Sequence, residues 1–421
     1  MTTTSRIVAL AKEIEANTIK LDEYLEKNDL PRPSFDADAP LMYQLPPDIA
    51  AAQEALNAAL DELWWLNQGP IQTIVAKSFA TSVGLRTILR YNLQSLVPLD
   101  TGATFQELAD KTGLPVKKLT RLLRHGMTDH LFRESEPGFV KHTAATKALA
   151  VIPLLAPWSL MGMSEVGPAK MHMVDAVAKW PESEELEHAG FCLANNTSKQ
   201  MFDFFEENPE RMNRFKDAMS FLQTFPGLQT SYVLEAFDWA ALGKGLIVDV
   251  GGSHGLVSQD IARQFPSLTF IVQDLPNVIE DAKSKVPAEL ADRVSFMAHD
   301  MFTEQPVHGA EVYYFRWIFH DWSDKYCIRI LRSLIPALKP GARIMFSERC
   351  LEPPCTLPLR QERWNRDSDI TMFAMSNSQE RDQDDWEKLL RAADPRFTLD
   401  EVKRLPDAKL DLIITRWEGS A

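Results

Sequence analysis

The sequence predicts an α/β protein: an open, mostly parallel sheet wound on both faces by helices, behind a mainly helical N-terminal half. Three observations predict it. After Lys244, short strand-like runs alternate with helical patterns. A glycine-rich turn joins the first of those runs to a helix. Before Lys244, apolar residues recur at helical spacing.

Residues 1–47 open the chain. Between Ser5 and Lys27, Ile7, Leu10, Ile14, Leu21 and Leu25 recur at three- and four-residue intervals or their multiples, which makes an amphipathic helix. Asp29 to Pro47 then carries Pro31, Pro33, Pro40, Pro46 and Pro47, so it is expected to be an extended connector. Two roles are open to this helix and arm: embracing a second subunit, or packing on its own chain.

Residues 48–150 read as a winged-helix-like scaffold. Asp48 is placed to cap an alanine-rich helix. Thr104 caps a helix that Gly113 closes, and Leu119, Leu122 and Leu123 form the apolar stripe of the next. Phe132 to Val140, turning at Glu136-Pro137-Gly138, has the form of a wing. Such a motif can bind DNA, but its second helix has few cations and the whole chain is acidic. A dimer scaffold is the favoured reading.

Residues 151–243 are helical, with Trp158, Met161, Met163, Met171, Met173, Phe202, Phe204 and Phe205 as either ordinary core or substrate-pocket wall. Residues 244–421 carry the sheet. Leu246–Val250, Leu268–Val272, Val294–Met297, Glu311–Phe315 and Arg343–Ser347 are the strand-like runs, and a final pair near Phe397–Val402 and Leu410–Thr415 closes one edge.

The chemistry gathers at the carboxyl ends of those runs. Asp249-Val250-Gly251-Gly252-Ser253-His254-Gly255 leads directly into a helix at Leu256. Its glycines let a ligand lie against main-chain N–H groups, and Asp249 is placed to receive a cationic amino group. The G-G-x-x-G spacing is not the dinucleotide fingerprint. Asp274, with Leu275 beside it, stands at the tip of the second strand, where a carboxylate accepts both ribose hydroxyls; the bland alternative is a loop cap. Asp300 and Met301 follow strand three, where an acid can reach an adenine amino group and an apolar side chain its ring face; the bland alternative is routine loop chemistry. His320 follows strand four, in a position and of a residue type suited to a general base near neutrality.

The segments VDVGGSHG, VQDLP, HDMF, FRWIFHDWSDKYC, ALKPGARIMFSE and NSQERDQDDWEKLL, in this order, resemble the successive motifs of the S-adenosylmethionine-dependent small-molecule O-methyltransferases of plant caffeate/flavonoid and fungal secondary-metabolite type. The resemblance runs from about Ala103 to the C-terminus. It implies a Rossmann-like class I methyltransferase domain with a seven-stranded sheet, a winged-helix dimerisation domain, and an acceptor held between the two. It implies S-adenosylmethionine as cofactor, leaving as S-adenosylhomocysteine, and no metal. Gly251, Gly252 and Gly255 match the loop near the cofactor's methionine part, Asp274 the ribose, and Asp300 and Met301 the adenine. Arg316 stands where the family has a cation, usually lysine. His320 matches the general base, and Glu348 and Glu380 match the two acids flanking it. The loop before Glu380 departs from the family pattern, with Gln379 where lysine is common.

Composition excludes other classes. Lys and Arg number 45 against 59 Asp and Glu, a formal charge of −14, which repels nucleic acid and anionic membrane surfaces. The four cysteines, Cys192, Cys327, Cys350 and Cys355, form neither a disulfide scaffold nor a zinc pattern. Met1 to Leu25 has no uninterrupted apolar run. The expectation is a soluble, cytoplasmic homodimer whose partner is a small aromatic or polyketide-like molecule. A second reading is a look-alike that keeps the cofactor but catalyses pericyclic or other non-methylating chemistry. Departures at the base position would mark it, and His320 and Asp321 are both present.

Overall fold

Leu10 and Leu25 lie buried on one stripe of helix Arg6–Lys27, and the Arg6 guanidinium pairs with Glu62 on the following helix, Pro47–Phe79. Between them residues 28–46 form neither helix nor strand, as the prolines dictate. The middle of this arm packs on its own chain: Phe35 stacks on His130 with ring centroids 3.7 Å apart, and the Ala37 carbonyl accepts a 2.7 Å bond from Lys147. Asp48 sits inside the first turn of its helix rather than ahead of it. Pro47, which has no N–H to satisfy, takes the first position, and the carboxylate then complements the helix dipole instead of capping.

The computed structural model describes residues 5–79, 83–283 and 287–419, which divide into two units, Met1–Met163 with Pro358–Gln361, and Ser164–Leu357 with Glu362–Ala421. In the first unit, helix Phe105–Thr112 begins with a capping box in which Thr104 and Glu107 exchange side-chain-to-backbone bonds of 3.2 and 2.7 Å, and ends at Gly113 with φ +72°. Helix Val116–Met127 follows, burying Leu119 and Leu123. Strands β1 (Ala103–Thr104), β2 (Arg133–Glu136) and β3 (Phe139–Lys141) form a small sheet ordered β1-β3-β2. Glu134 closes its turn by accepting from the Gly138 N–H and from both arms of Arg124.

The second unit opens with helices that bury Phe191, Met201 and Phe205 against Ala374 and Met375. Phe205 is therefore core, whereas Met171 is 80 % exposed. The sheet follows: β4 (Leu246–Val250), β5 (Thr269–Asp274), β6 (Val294–Ala298), β7 (Val312–Arg316) and β8 (Arg343–Glu348), then β9 (Cys350–Leu351), β10 (Arg381–Asp382), β11 (Phe397–Lys403) and β12 (Asp411–Trp417). Seven strands run β11-β12-β8-β7-β4-β5-β6. The five from β4 to β8 are parallel, and β12 is antiparallel to both β8 and β11. Each predicted strand is present within about two residues.

Two-residue alternation explains why the sheet is covered on both sides. Val248, Tyr313, Phe315, Phe346 and Ile413 enter one core cluster, and Ile247, Val312, Tyr314, Met345 and Ile414 the other. The order reverses between β4 and β7, so the crevice for a ligand opens at the carboxyl ends of these two strands, with β5 beside β4. Among the described residues no single helix is long and apolar enough to cross a membrane.

Candidate active site

The crevice is shaped by a turn that only glycine permits. The Gly251 and Gly252 N–H groups both donate to the Gln273 carbonyl, at 2.8 and 3.1 Å, which folds the turn back against β5. Gln273 is itself held by a reciprocal pair of 2.8 Å side-chain bonds with Gln305. A Cβ on Gly252 would lie 2.6–2.8 Å from the Asp249 carboxylate atoms, and Gly255, with φ +66°, starts helix Leu256–Gln264.

Asp249 is 3 % exposed. Burial pushes its carboxyl up to about 6, against the 2.6 Å bond from Ser258 and the attraction of Arg316. A buried carboxylate beside a side-chain-free turn fits a ligand ammonium group, which would restore the lost solvation. Asp274 accepts the Ser253 N–H at 2.9 Å on one oxygen and the Leu275 N–H at 2.8 Å on the other. Burial raises it and these bonds lower it. Because each carboxylate oxygen has two acceptor positions, one on each oxygen is left for a diol. The Leu275 side chain is 47 % exposed at the rim, and Asp300 accepts the Phe302 N–H at 3.0 Å with Met301 half-buried beside it. These groups fit the amino-acid, ribose and base portions of S-adenosylmethionine. The Arg316 guanidinium donates to the Leu228 carbonyl at 2.7 Å and lies 5.0 Å over the Trp317 ring.

His320 stands on the turn Phe319–Asp321 just after β7, with its side chain 17 % exposed. Nδ1 lies 3.4 Å from Glu380 Oε1 and 4.0 Å from Glu348 Oε2, and Nε2 lies 3.8 Å from Asp321 Oδ1. Burial alone would lower the imidazole's proton affinity. The charges of Glu348, Asp321 and Glu380 outweigh it and raise the ring to about 10. Glu348 goes up to about 7 through burial and the repulsion of Glu380, against His320 and the Ile318 and Phe319 N–H groups, each 2.8 Å from Oε1. Burial would raise Glu380 too, but His320 and the Ser368 hydroxyl hold it below its ordinary value. Among the described residues this triad has metal-site spacing, its ligand atoms lying within 4.8 Å. One imidazole facing two acids is equally a device for holding one proton, with Glu348 Oε2 and Glu380 Oε2 buried and without a hydrogen-bond partner.

A short parallel ladder brings the acids together: β9 begins two residues after Glu348 and β10 one after Glu380, with Arg381 opposite Cys350. Arg381, 1 % exposed, grips the His320 turn from both ends, donating to the Phe319 and Trp322 carbonyls at 2.9 Å and to Asp324 at 2.7 Å. Gln379, the residue that departs from the family pattern, donates to the same Asp324 oxygen at 3.0 Å. Ser378 donates to the His320 carbonyl at 2.6 Å, and Asn377 donates to the Ser183 and Glu185 carbonyls at 2.8 and 3.0 Å. Sequence reasoning passed over Arg381, Ser368 and Asp369. The adjacency of Arg381 to Glu380 was the available signal for the first, and nothing local marks the other two.

The chain matches the O-methyltransferase domain family over residues 175–394. It is 38 % identical to a chlorophenol O-methyltransferase of Trichoderma longibrachiatum, over 98 % of this chain and 91 % of that one. It is 39 % identical to the grayanic acid biosynthesis cluster O-methyltransferase of Cladonia grayi, over 98 % and 88 %. Among solved structures, OxaC superposes with a TM-score of 0.76 at 23 % identity, covering 98 % of this chain and 100 % of that one. LepI in complex with SAM superposes at 0.70 and 23 %, covering 97 % and 100 %. At that identity the likeness is one of fold.

Proposed function

The chain belongs to the O-methyltransferase domain family, and from that premise we propose that it methylates a hydroxyl of an aromatic or polyketide-like molecule, with His320 as the general base. The observation that carries the base assignment is the orientation of one ring: Nδ1 faces two buried carboxylates, whereas the nearest carboxylate oxygen to Nε2, Asp321 Oδ1 at 3.8 Å, lies beyond hydrogen-bond distance, so Nε2 is the nitrogen for an acceptor proton. The names of the relatives, one acting on chlorophenols, support a phenolic acceptor.

S-adenosylmethionine, when bound, supplies a methyl group on a sulfonium leaving group. The chain's own residues do the rest. Asp249 holds the amino group, Asp274 the ribose, and Asp300 with Met301 the adenine, while Gly251, Gly252 and Gly255 keep the crevice free of side chains. His320 takes the acceptor's proton through the minor neutral form of a ring that, raised to about 10, is mostly protonated at pH 7 and so is not the base poised at neutrality that its residue type suggests; Glu380 and Glu348 favour the imidazolium that forms. A positioned base supplies about 10²–10⁴-fold, and orientation with exclusion of water supplies most of the remainder.

The reading extends to a homodimer through the N-terminal unit, in the cytoplasm and without nucleic acid. The exposed Ile7, Val8 and Ile19 of the first helix support an interface, the four free cysteines a reducing compartment, and the −14 charge the absence of nucleic acid. The mass in solution tests the dimer. The test of the activity is incubation with S-adenosylmethionine labelled in the methyl group and 4-chlorophenol. Label in the aryl ether is expected. Because LepI and a protein described as a pericyclic reaction enzyme share the fold, product formed from any acceptor without loss of the labelled methyl would overturn the reading.

A further inference from the structure

Glu380 is held at three points, and two of them come from neighbouring residues on helix Leu359–Ser376. The Asp369 carboxylate accepts the Glu380 N–H at 3.0 Å. The Ser368 hydroxyl donates to Oε1 at 2.8 Å, the same oxygen that faces His320 Nδ1 at 3.4 Å. The other oxygen, Oε2, is buried with no hydrogen-bond partner. A carboxylate buried to this degree, with one oxygen unpartnered, depends on the bonds to its other oxygen, of which the Ser368 bond is the shorter.

Resting on the methyl-transfer reading above, we propose that Ser368 is a positioning residue: its hydroxyl pins the Glu380 oxygen that faces His320 and shares that oxygen with the imidazole N–H. The sharing has a direction. A carboxylate oxygen that already accepts one strong donor pulls less on a second, so Ser368 tempers the attraction of Glu380 for the His320 proton. The other charged groups facing this centre are Glu348 from β8, Asp321 from the turn itself, Asp369 from the helix, and Arg349 and Arg381 flanking the two acids. None of them donates to Glu380 Oε1 among the described residues. Ser368 is therefore the group whose removal changes how that oxygen divides itself.

The experiment compares Ser368→Val with Ser368→Thr in the full chain, two side chains of one shape that differ by a hydroxyl, with Ser368→Ala as the second hydroxyl-free variant should Val not fold. The readout that needs no acceptor is the NMR titration of the His320 ring Cε1–H, assigned with His320→Gln. Loss of the hydroxyl is expected to move its midpoint upward by roughly half a pH unit, and Thr to bring it back. The acid limb of kcat/KM for 4-chlorophenol is expected to follow, costing about threefold in rate below the limb, with S-adenosylhomocysteine binding unchanged. Identical titrations for Val and Thr, or a rate loss with no change in either pH profile, would show Ser368 to be only a helix residue. A shifted midpoint in a protein that methylates no phenol would leave the positioning intact and fail the functional reading. An unshifted midpoint in an active methyltransferase would do the reverse.

Discussion

His320 and Glu380 stand 60 residues apart in the chain, yet Nδ1 of one faces Oε1 of the other at 3.4 Å. The β9–β10 ladder and the Arg381 clamp hold them there, so the pair belongs to the folded scaffold and does not wait for a ligand to assemble. His320→Gln keeps a polar side chain of similar reach but cannot take a proton. Its turnover is expected to fall about 10²–10⁴-fold while S-adenosylhomocysteine affinity, read by calorimetry, stays within a few-fold. Turnover close to the wild type would place the base elsewhere.

Gly252 is a position where the cofactor crevice leaves no room for a side chain. An alanine methyl there would press on the Asp249 carboxylate, which Ser258 fixes from the other side. Gly252→Ala is expected to abolish detectable S-adenosylhomocysteine binding with the circular dichroism spectrum preserved. Retained affinity would mean that the ligand does not approach this turn.

As the proposed holder of the amino group, Asp249 is expected to make that affinity depend on pH. Its carboxyl, raised to about 6 by burial, must be ionised to receive an ammonium group. Binding should hold steady above pH 7 and weaken as pH falls through 6, by up to about tenfold per unit below it. Calorimetric titration from pH 7.5 to 5 measures this. A flat profile, or an Asp249→Asn variant with the same slope, would remove Asp249 from the amino-group site.

The cluster around His320 should also show in the pH dependence of stability. A histidine raised from 6.5 to about 10 binds its proton more tightly folded than unfolded. Its contribution is complete below 6.5 and is lost as pH rises through 10. Glu348, raised from 4.5 to about 7, acts with the same sign: its contribution is complete below 4.5 and gone above 7. The melting temperature is expected to fall from pH 7 to 10 more steeply in the wild type than in His320→Gln. Equal slopes for the two proteins would refute the raised proton affinity.

A second buried charge lies outside this centre. Glu165 is 2 % exposed and its two oxygens take the guanidinium groups of Arg211 and Arg214, with Arg211 lying 4.7 Å over the Phe204 ring. Removing the carboxylate charge strands two half-buried cations, so Glu165→Gln is expected to cost about 3 kcal/mol in urea unfolding. A loss under about 1 kcal/mol would show that solvent reaches the pair.

What the amino-acid order determined by itself was whatever local pattern controls. The β-branched and aromatic runs marked all seven strands of the main sheet, Gly255 marked the start of the first helix of the crevice at Leu256, and Thr104 announced a cap. Asp249, Asp274 and His320 were legible for the same reason, since each follows directly from its place at a strand end.

Tertiary structure decided the rest. That Glu348 and Glu380 meet at one imidazole follows from a two-residue ladder between segments about thirty residues apart. The parts given to Arg381, Ser368 and Asp369 follow from contacts across 57, 12 and 11 positions. Neighbouring residues set helix and strand through backbone sterics and spacing. The proton affinity of a buried ring is set instead by charges and hydrogen bonds that only the folded chain brings within 4 Å of it.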